Sequence, residues 1–181
     1  MSFITKEDTV LVVIDLQEKL MPAMNNGDET EERAAKLIRG MKVFDIPVIV
    51  TQQYTKGIGT TTAKIAEALG DFEHVEKTTF SAARMQEFKD RLAAAGRKNV
   101  VICGVEAHIC VLQTTLQLME EGYNVYLAVD CIDSRNENDK LWGISRMGDA
   151  GAVITTYESV LYEILQDSKA EGFKAISAIV K

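Results

Sequence analysis

The chain has 181 residues, of which 46% are hydrophobic and 26% charged, which is the composition of one globular domain with a sizeable buried core. Its 20 basic and 27 acidic side chains give a formal net charge of −7, so the chain lacks the positive field needed to bind nucleic acid or an anionic membrane surface. No segment approaches the roughly 20 apolar residues of a membrane span and no targeting signal is visible, so we expect a single cytoplasmic domain over residues 1–181.

The cysteines and histidines do not form a metal-binding or disulfide pattern. Cys103, Cys110 and Cys131 are odd in number and lack CxxC spacing, which favours three reduced thiols. His74 and His108 are far apart, and neither has a second ligand two or four residues away. Neither a dinucleotide fingerprint nor a GxxxxGK phosphate loop occurs. We therefore expect no metal and no cofactor.

Short β-branched runs alternate along the chain with segments of helical period, which is typical of βαβ units around a buried parallel sheet. The predicted strands are residues 10–14, 48–50, a weaker run at 74–77, 100–103, 125–129 and 152–155. The apolar faces of three helices are Ala34, Leu37, Ile38 and Met41; Met85, Phe88 and Leu92; and Ile109, Leu112, Leu116 and Met119.

Turn and capping residues support these boundaries. Asp28 is expected to cap the first helix, and Gly70, Gly96 and Gly122 are expected to follow the ends of helices. The C-terminal stretch from Val160 to Ile176 reads as one or two apolar helices that pack either on the sheet or on a second subunit. The interpretation is one α/β domain of three layers, Rossmann-like and doubly wound, with helices on both faces.

Ligands in such folds bind beyond the carboxyl ends of the strands, near the point where the strand order reverses. Polar residues follow the predicted strands at this rim of the sheet: Asp15, residues 51–54, Lys77, residues 104–106 and Asp130 with Cys131. Polar residues are common wherever a strand enters a loop. Position alone is therefore weak evidence that any one of these residues is functional.

Cys110 lies just inside the predicted fourth helix, where unpaired N–H groups and the helix dipole favour a thiolate. The alternative is a small buried residue between helix and sheet, and position alone does not choose between them. His108 is two residues away, so it cannot easily face Cys110 on a helix, although it could line the pocket mouth. Asp15 is the better base, with a pKa raised by burial and lowered by a cation such as Lys77.

Three motifs together resemble the isochorismatase-like cysteine hydrolases, a family that includes nicotinamidases. They are VVIDLQ with Asp15 and Gln17, EKTTFSA with Lys77, and VVICGVEAHICVLQTTLQL with Cys110. The resemblance runs from about residue 9 to about residue 156. The stretches VTQQYTKGIGTT, GVEAHIC and CIDSR are most similar to the isochorismatase-domain-containing subgroup, most of whose members lack a settled substrate.

The resemblance implies a six-stranded parallel sheet in the order 3-2-1-4-5-6 and a catalytic triad of Asp15, Lys77 and Cys110. In the implied mechanism Asp15 takes the thiol proton, Lys77 holds the ion pair, and the Cys110 thiolate attacks a carboxamide to form a thioester. The backbone N–H groups of Glu106 and Cys110 would form the oxyanion hole. The resemblance also implies a cis peptide bond between Val105 and Glu106.

The substrate implied by the resemblance is a small amide or related acyl compound. Nicotinamidases carry an aspartate and histidines after the second strand that bind a metal, whereas this chain has Gln52, Gln53 and Tyr54 there, so we do not expect nicotinamide hydrolysis. Cys110 favours acyl chemistry over the ether cleavage of true isochorismatases. Polar side chains that could line the pocket are Gln17, Gln52, Tyr54 and His108.

Two other classes of function stay open from the sequence. One is a non-catalytic assembly or scaffold protein that retains the hydrolase fold, and the other is a redox-sensing thiol protein. The role of Cys131, at the end of a predicted strand, is undecided. Members of the resembled family are commonly homo-oligomers, so we expect a homo-oligomer. The other expected partner is a small-molecule substrate.

Overall fold

The computed structural model describes residues 3–181, which form one α/β domain around a six-stranded sheet. Every strand pairing is parallel, and the strand order is β3-β2-β1-β4-β5-β6, which confirms the predicted order. The strands are β1 (Thr9–Ile14), β2 (Val48–Gln53), β3 (His74–Lys77), β4 (Asn99–Val105), β5 (Asn124–Asp133) and β6 (Val153–Thr155).

Helices cover both faces of the sheet. They are α1 (Gly27–Val43), α2 (Thr55–Ile58), α3 (Ala63–Leu69), α4 (Gln86–Ala95), α5 (Leu112–Glu120), α6 (Glu137–Asp149), α7 (Tyr157–Leu165) and α8 (Phe173–Val180). Short 3-10 turns lie at Lys6–Asp8, Met21–Ala23 and Ala82–Arg84, and a π-helical turn at Ala107–Val111 precedes α5. Within residues 3–181, no helix combines the length and the apolar character that crossing a membrane requires.

The alternation of side chains along the central strands builds two hydrophobic cores. On β1, Leu11 and Val13 face the core that contains α1, α3, α7 and α8, whereas Val10, Val12 and Ile14 face the core that contains α4, α5 and Met147 of α6. These five residues are fully buried. A strand buried on both faces lies in the middle layer of three, which explains its continuous apolar sequence.

Several strands extend further than the sequence predicts. β2 continues through Thr51, Gln52 and Gln53 instead of ending at residue 50, and β5 continues to Asp133 instead of ending at residue 129. Thr51 and Gln52 are buried and make side-chain hydrogen bonds inside the protein. Polar residues whose bonds are satisfied by the fold cannot be told from loop residues by hydropathy, which is why the predicted ends were short.

The helix boundaries follow the predicted glycines but not the predicted cap. Gly70 and Gly96 cap the ends of α3 and α4 with φ angles of 73° and 63°. Asp28 does not cap α1, because the helix already begins at Gly27 and its N-cap residue is Asn26. Asp28 lies instead in the first turn, where its negative charge still interacts favourably with the helix dipole.

The C-terminal helices pack within the chain. Both α7 and α8 lie against α1, and Leu161 of α7 touches the helix at Gly40. A Cβ atom built on Gly40 would lie 2.5 Å from the methyl carbons of Leu161, so the missing side chain gives Leu161 room to pack against α1. The sequence predicts packing either on the sheet or on a second subunit, and the structure shows this segment packed on α1 in the same chain.

Candidate active site

Asp15 stands at the carboxyl end of β1 and is completely buried. Its φ of 53° turns the chain sharply out of the sheet. The carboxylate has a different partner on each oxygen: the Thr51 hydroxyl donates to Oδ1 at 2.7 Å, and the Lys77 ammonium donates to Oδ2 at 2.6 Å. Asp15 is thus a fixed anion at the point where the strand order reverses.

Lys77 ends β3 and is only 1% exposed. Because β2 lies between β1 and β3, the Lys77 side chain must cross the end of β2 to reach Asp15. Four oxygen atoms surround its ammonium group: Asp15 Oδ2 and Gln53 Oε1 at 2.6 Å, and the carbonyl oxygens of Thr79 and Phe80 at 3.3 and 3.2 Å. This cage holds a buried cation beside a buried carboxylate.

Cys110 lies in the π-helical turn that joins β4 to α5. The turn has π geometry because the N–H of Val111 reaches back five residues to the carbonyl of Glu106, at 3.2 Å. The sequence predicts an α-helix that already includes Ile109, whereas α5 begins only at Leu112. Single π turns within helical segments are frequent at functional sites.

The Cys110 thiol meets the ion pair formed by the other two side chains. It lies close enough to the Asp15 carboxylate and the Lys77 ammonium for both charges to act on its pKa, and the residue is 7% exposed. The structure therefore brings Asp15, Lys77 and Cys110 into one cluster, although they come from three separate parts of the chain.

Burial dominates the electrostatics of this cluster. It raises the pKa of Asp15 above its ordinary value, although Lys77 pulls that pKa back down. Burial also raises the pKa of the Cys110 thiol to about 12, and the Asp15 carboxylate adds to the rise. The start of the helix therefore does not by itself make Cys110 a free thiolate. A proton that passes from Cys110 to Asp15 leaves the net charge of the cluster unchanged.

The carboxyl end of β4 approaches β1 very closely. Gly104 pairs with Ile14, and its φ of 130° is a conformation that side chains rarely adopt. A Cβ atom on Gly104 would lie 2.0 Å from the Ile14 carbonyl oxygen. The peptide bond between Val105 and Glu106 is cis. Gly104 thus allows the chain that leads to Cys110 to pass directly beside the strand that carries Asp15.

The Glu106 side chain turns away from the triad toward the loop after β5. Its carboxylate accepts hydrogen bonds from the backbone N–H and the Nε of Arg135, at 3.0–3.1 Å. The neighbouring Ser134 hydroxyl lies 2.9 Å from Nδ1 of His108. These contacts tie the π-helical turn to the loop that follows β5.

Two of the predicted pocket residues are engaged by the protein itself. Gln17 is buried, and its amide bonds to both the N–H and the carbonyl of Gln53 and to the carbonyl of Gly59. Gln52 is also buried and bonds to the hydroxyls of Thr61 and Thr55. Both amides hold the loop that follows β2.

The other two predicted pocket residues are more accessible. Tyr54 is 50% exposed, has a φ of 39°, and lays its ring against Gly57. His108 is half-buried and bonds to Ser134. Neither shows a hydrogen bond to Asp15, Lys77 or Cys110.

Sequence reasoning missed two side chains that contact the triad. Thr51 donates to Asp15, and Gln53 accepts from Lys77. Both lie on β2 two residues apart, so they share one face of the strand between the two charges. Their position at a predicted strand end was the only signal available, and it did not separate them from their neighbour Gln52.

The remaining titratable side chains do not form a second centre in the part of the chain that the structure describes. Cys103 and Cys131 are fully buried free thiols, and burial raises the pKa of Cys103 to about 12. Among residues 3–181, no group of three histidine, cysteine or acidic side chains is placed to hold a metal ion.

Comparison with known proteins identifies the family. The Isochorismatase domain model matches residues 9–159. The chain is 32% identical over 175 residues to isochorismatase domain-containing protein 2 of Xenopus laevis, covering 97% of this chain and 84% of that protein. A relative of the same name in Danio rerio is 32% identical over 177 residues, covering 98% and 89%.

Solved structures agree over nearly the whole fold. The MAR1 ribonuclease of Caenorhabditis elegans superposes with a TM-score of 0.93 at 34% identity, covering 99% of this chain and 92% of that one. YcaC of Pseudomonas aeruginosa, solved with hexane-2,5-diol and covalent acrylamide, gives 0.91 at 26% identity, covering 98% and 91%. YcaC of Escherichia coli, an octameric hydrolase of unknown specificity, gives 0.89 at 24% identity, covering 93% and 85%. The chain therefore belongs to the isochorismatase family and has its hydrolase fold.

Proposed function

We propose that this protein is a metal-independent cysteine hydrolase that cleaves a small amide, or a related acyl compound, through a thioester on Cys110. The observation that carries the proposal is the buried cluster in which Asp15 binds the Lys77 ammonium and lies beside the Cys110 thiol. Removing a carboxylate and an ammonium from water costs desolvation free energy, so a buried ion pair is not an efficient source of stability. Titratable groups with perturbed pKa values are concentrated at catalytic sites.

The cluster supplies the proton movements that amide hydrolysis needs. Asp15 accepts the Cys110 proton as sulfur bonds to the substrate carbonyl carbon. Asp15 then gives this proton to the leaving nitrogen, the C–N bond breaks, and ammonia departs from the thioester. Water attacks the thioester and gives one proton to Asp15, the C–S bond breaks, and Asp15 returns that proton to the thiolate. The Lys77 ammonium stabilises whichever partner carries the negative charge.

The oxyanion of each tetrahedral intermediate needs donors that are already in position. We assign this role to the main-chain N–H groups of Glu106 and Cys110. Glu106 directly precedes the π-helical turn, and Cys110 lies within it. In other enzymes, losing one such donor costs about 3 kcal/mol of transition-state stabilisation. Tyr54 and His108 remain the proposed substrate contacts, whereas we assign Gln17 and Gln52 to support of the loop.

A solved relative carries a covalent adduct. YcaC of Pseudomonas aeruginosa holds covalent acrylamide, which is itself a small amide that reacts with nucleophiles. Adduct formation and the proposed acyl transfer both begin with attack by a nucleophile, and in this chain we assign that role to Cys110 with Asp15 as the proton acceptor.

The enclosure of the cluster favours a small substrate over a polymer. Asp15, Lys77 and Cys110 are at most 7% exposed, so a reacting bond must enter a narrow space. The ribonuclease activity named for the nematode relative belongs to that protein. In this chain the net charge of −7 opposes the approach of a phosphate backbone.

The proposal is tested by measuring ammonia release from a panel of small primary amides. We expect wild-type release that persists in EDTA and falls by at least a factor of about a thousand in Cys110→Ala, since the nucleophile is lost. Asp15→Asn should behave similarly, whereas Cys103→Ala serves as the matched control. Release that is equal in wild type and Cys110→Ala, or turnover confined to RNA, would overturn the proposal.

We also propose that the protein self-associates through the surface of α6. Leu141 and Trp142 are 55% and 74% exposed on this helix, which packs against the π-helical turn. Large exposed apolar side chains side by side are typical of interaction surfaces, and the Escherichia coli relative is octameric. Light scattering should show an oligomer that dissociates in Leu141→Lys/Trp142→Lys. A monomeric wild type at micromolar concentration would contradict this.

A further inference from the structure

The Gln53 side chain stands between the two charged residues of the cluster. It ends β2, the strand between β1 and β3, and is paired in register with Lys77. Parallel strands lie about 4.8 Å apart, so Lys77 spans roughly two strand spacings to reach Asp15. A side chain at the end of the intervening strand is therefore placed to support the lysine midway.

Gln53 makes the tightest neutral contact of the Lys77 ammonium. Its Oε1 lies 2.6 Å from Nζ, as close as the Asp15 carboxylate, whereas the two backbone carbonyls lie at 3.2–3.3 Å. Nε2 of Gln53 donates to the Thr78 carbonyl at 3.0 Å. Exchanging the amide oxygen and nitrogen would set an N–H against the ammonium and an oxygen against a carbonyl. The network therefore permits one orientation only.

The backbone of Gln53 is fixed as firmly as its side chain. Gln17 accepts from the Gln53 N–H at 2.7 Å and donates to its carbonyl at 3.1 Å, so one buried amide pairs with both main-chain groups. Gln17 is two residues beyond Asp15. The loop that begins at one charged residue thus holds the side chain that supports the other.

We propose that Gln53 is a positioning residue that holds the Lys77 ammonium against Asp15 and thereby sets the pH range in which Cys110 reacts. The proposal rests on the proposed pairing of Asp15 with Cys110 and adds the residue that tunes it. The charged and titratable groups that face Asp15 are Lys77 from β3 and Cys110 from the π-helical turn, with the Thr51 hydroxyl from β2.

The test is the rate of Cys110 alkylation by iodoacetamide between pH 4 and pH 9, read by peptide mass spectrometry. In wild type the rate should rise with pH as Asp15 loses its proton and becomes able to accept one from Cys110. A nearby cation lowers a carboxylate pKa by about 1–3 units, so loosening Lys77 should move this rise to higher pH by about one unit. The assay needs no substrate, and the buried Cys103 and Cys131 report whether each variant stays folded.

Gln53→Met keeps the side-chain length and removes both of its hydrogen bonds. Gln52→Met is the matched control, because it removes two hydrogen bonds from the neighbouring residue of β2 without touching Lys77. We expect the rise to shift upward by about one pH unit in Gln53→Met and to stay at the wild-type position in Gln52→Met. Gln53→Glu, which adds a second carboxylate to Lys77, should shift it at least as far in the same direction.

The outcomes separate this inference from the proposed function. A profile in Gln53→Met and Gln53→Glu that coincides with Gln52→Met overturns the inference, as does a wild-type rate that shows no rise below pH 9. The expected shift in a protein that hydrolyses no amide would leave Gln53 as the positioning residue and overturn the proposed function alone.

Discussion

Lys77→Met tests how much the buried cation contributes to stability. The variant keeps the length of the side chain but removes the partner that lies 2.6 Å from Asp15 Oδ2, while Asp15 stays fully buried. A buried carboxylate without a cation avoids ionisation by taking up a proton. Its folded-state pKa then lies far above the ordinary value of 3.8.

The loss of unfolding free energy follows from the free energy needed to keep Asp15 protonated in the folded state. Each pH unit above 3.8 costs about 1.36 kcal/mol, so the penalty is at most about 4 kcal/mol at pH 7 and about 1.6 kcal/mol at pH 5. Because the folded-state pKa is raised, the stability contribution of Asp15 is complete below the unfolded pKa and is lost as the pH rises. The deficit of the variant relative to wild type should therefore grow by up to about 2.7 kcal/mol between pH 5 and pH 7.

Urea unfolding followed by circular dichroism at several pH values measures this deficit. Asp15→Asn/Lys77→Met is the control, since it removes the titrating carboxyl together with the cation and should give a deficit that does not change with pH. A Lys77→Met deficit that is also constant from pH 5 to pH 8 would refute the argument that Lys77 neutralises a buried Asp15.

Two further changes probe the surroundings of the cluster. Thr51→Val removes the hydroxyl that donates to Asp15 Oδ1, so the alkylation profile of Cys110 should move to higher pH, whereas Thr51→Ser should keep the wild-type profile; equal profiles for both would contradict this. Gly104→Ala forces a Cβ atom onto the Ile14 carbonyl at positive φ and should cost on the order of 3 kcal/mol or more in urea unfolding. Gly96 also has a positive φ, but a Cβ atom there would meet nothing within 4 Å, so Gly96→Ala should cost only about 1–2 kcal/mol. Similar losses in the two variants would contradict the steric argument.

The sheet was accessible from sequence because its signals are local, whereas the triad of Asp15, Lys77 and Cys110 was implied by the family resemblance. The apolar runs predicted the strands, and the carboxyl ends of parallel strands lie at one edge of a sheet. Asp15, Lys77 and the segment that leads to Cys110 all follow or end such strands. The polar extension of β2 was not visible, because Thr51 and Gln52 look like loop residues until their buried partners are known.

The roles of the glutamines could not be predicted from position. Gln17, Gln52 and Gln53 all lie near strand ends, and only the course of the loops decides which amide meets a lysine and which meets main chain. The same holds for the Cys110 thiol, whose pKa depends on its depth and on the Asp15 carboxylate rather than on the start of a helix. Long-range geometry of this kind leaves no periodic trace in the sequence.

The most direct test of the central claim is to trap the acyl group. Wild-type protein mixed with a p-nitrophenyl ester of a small acid and quenched in acid within the first turnover should carry one acyl group, located by peptide mass spectrometry on Cys110. Asp15→Asn should acylate far more slowly, and Cys110→Ala should carry no label. Acylation of Cys103 or Cys131 instead, or an unlabelled wild type that still releases p-nitrophenol, would contradict the account.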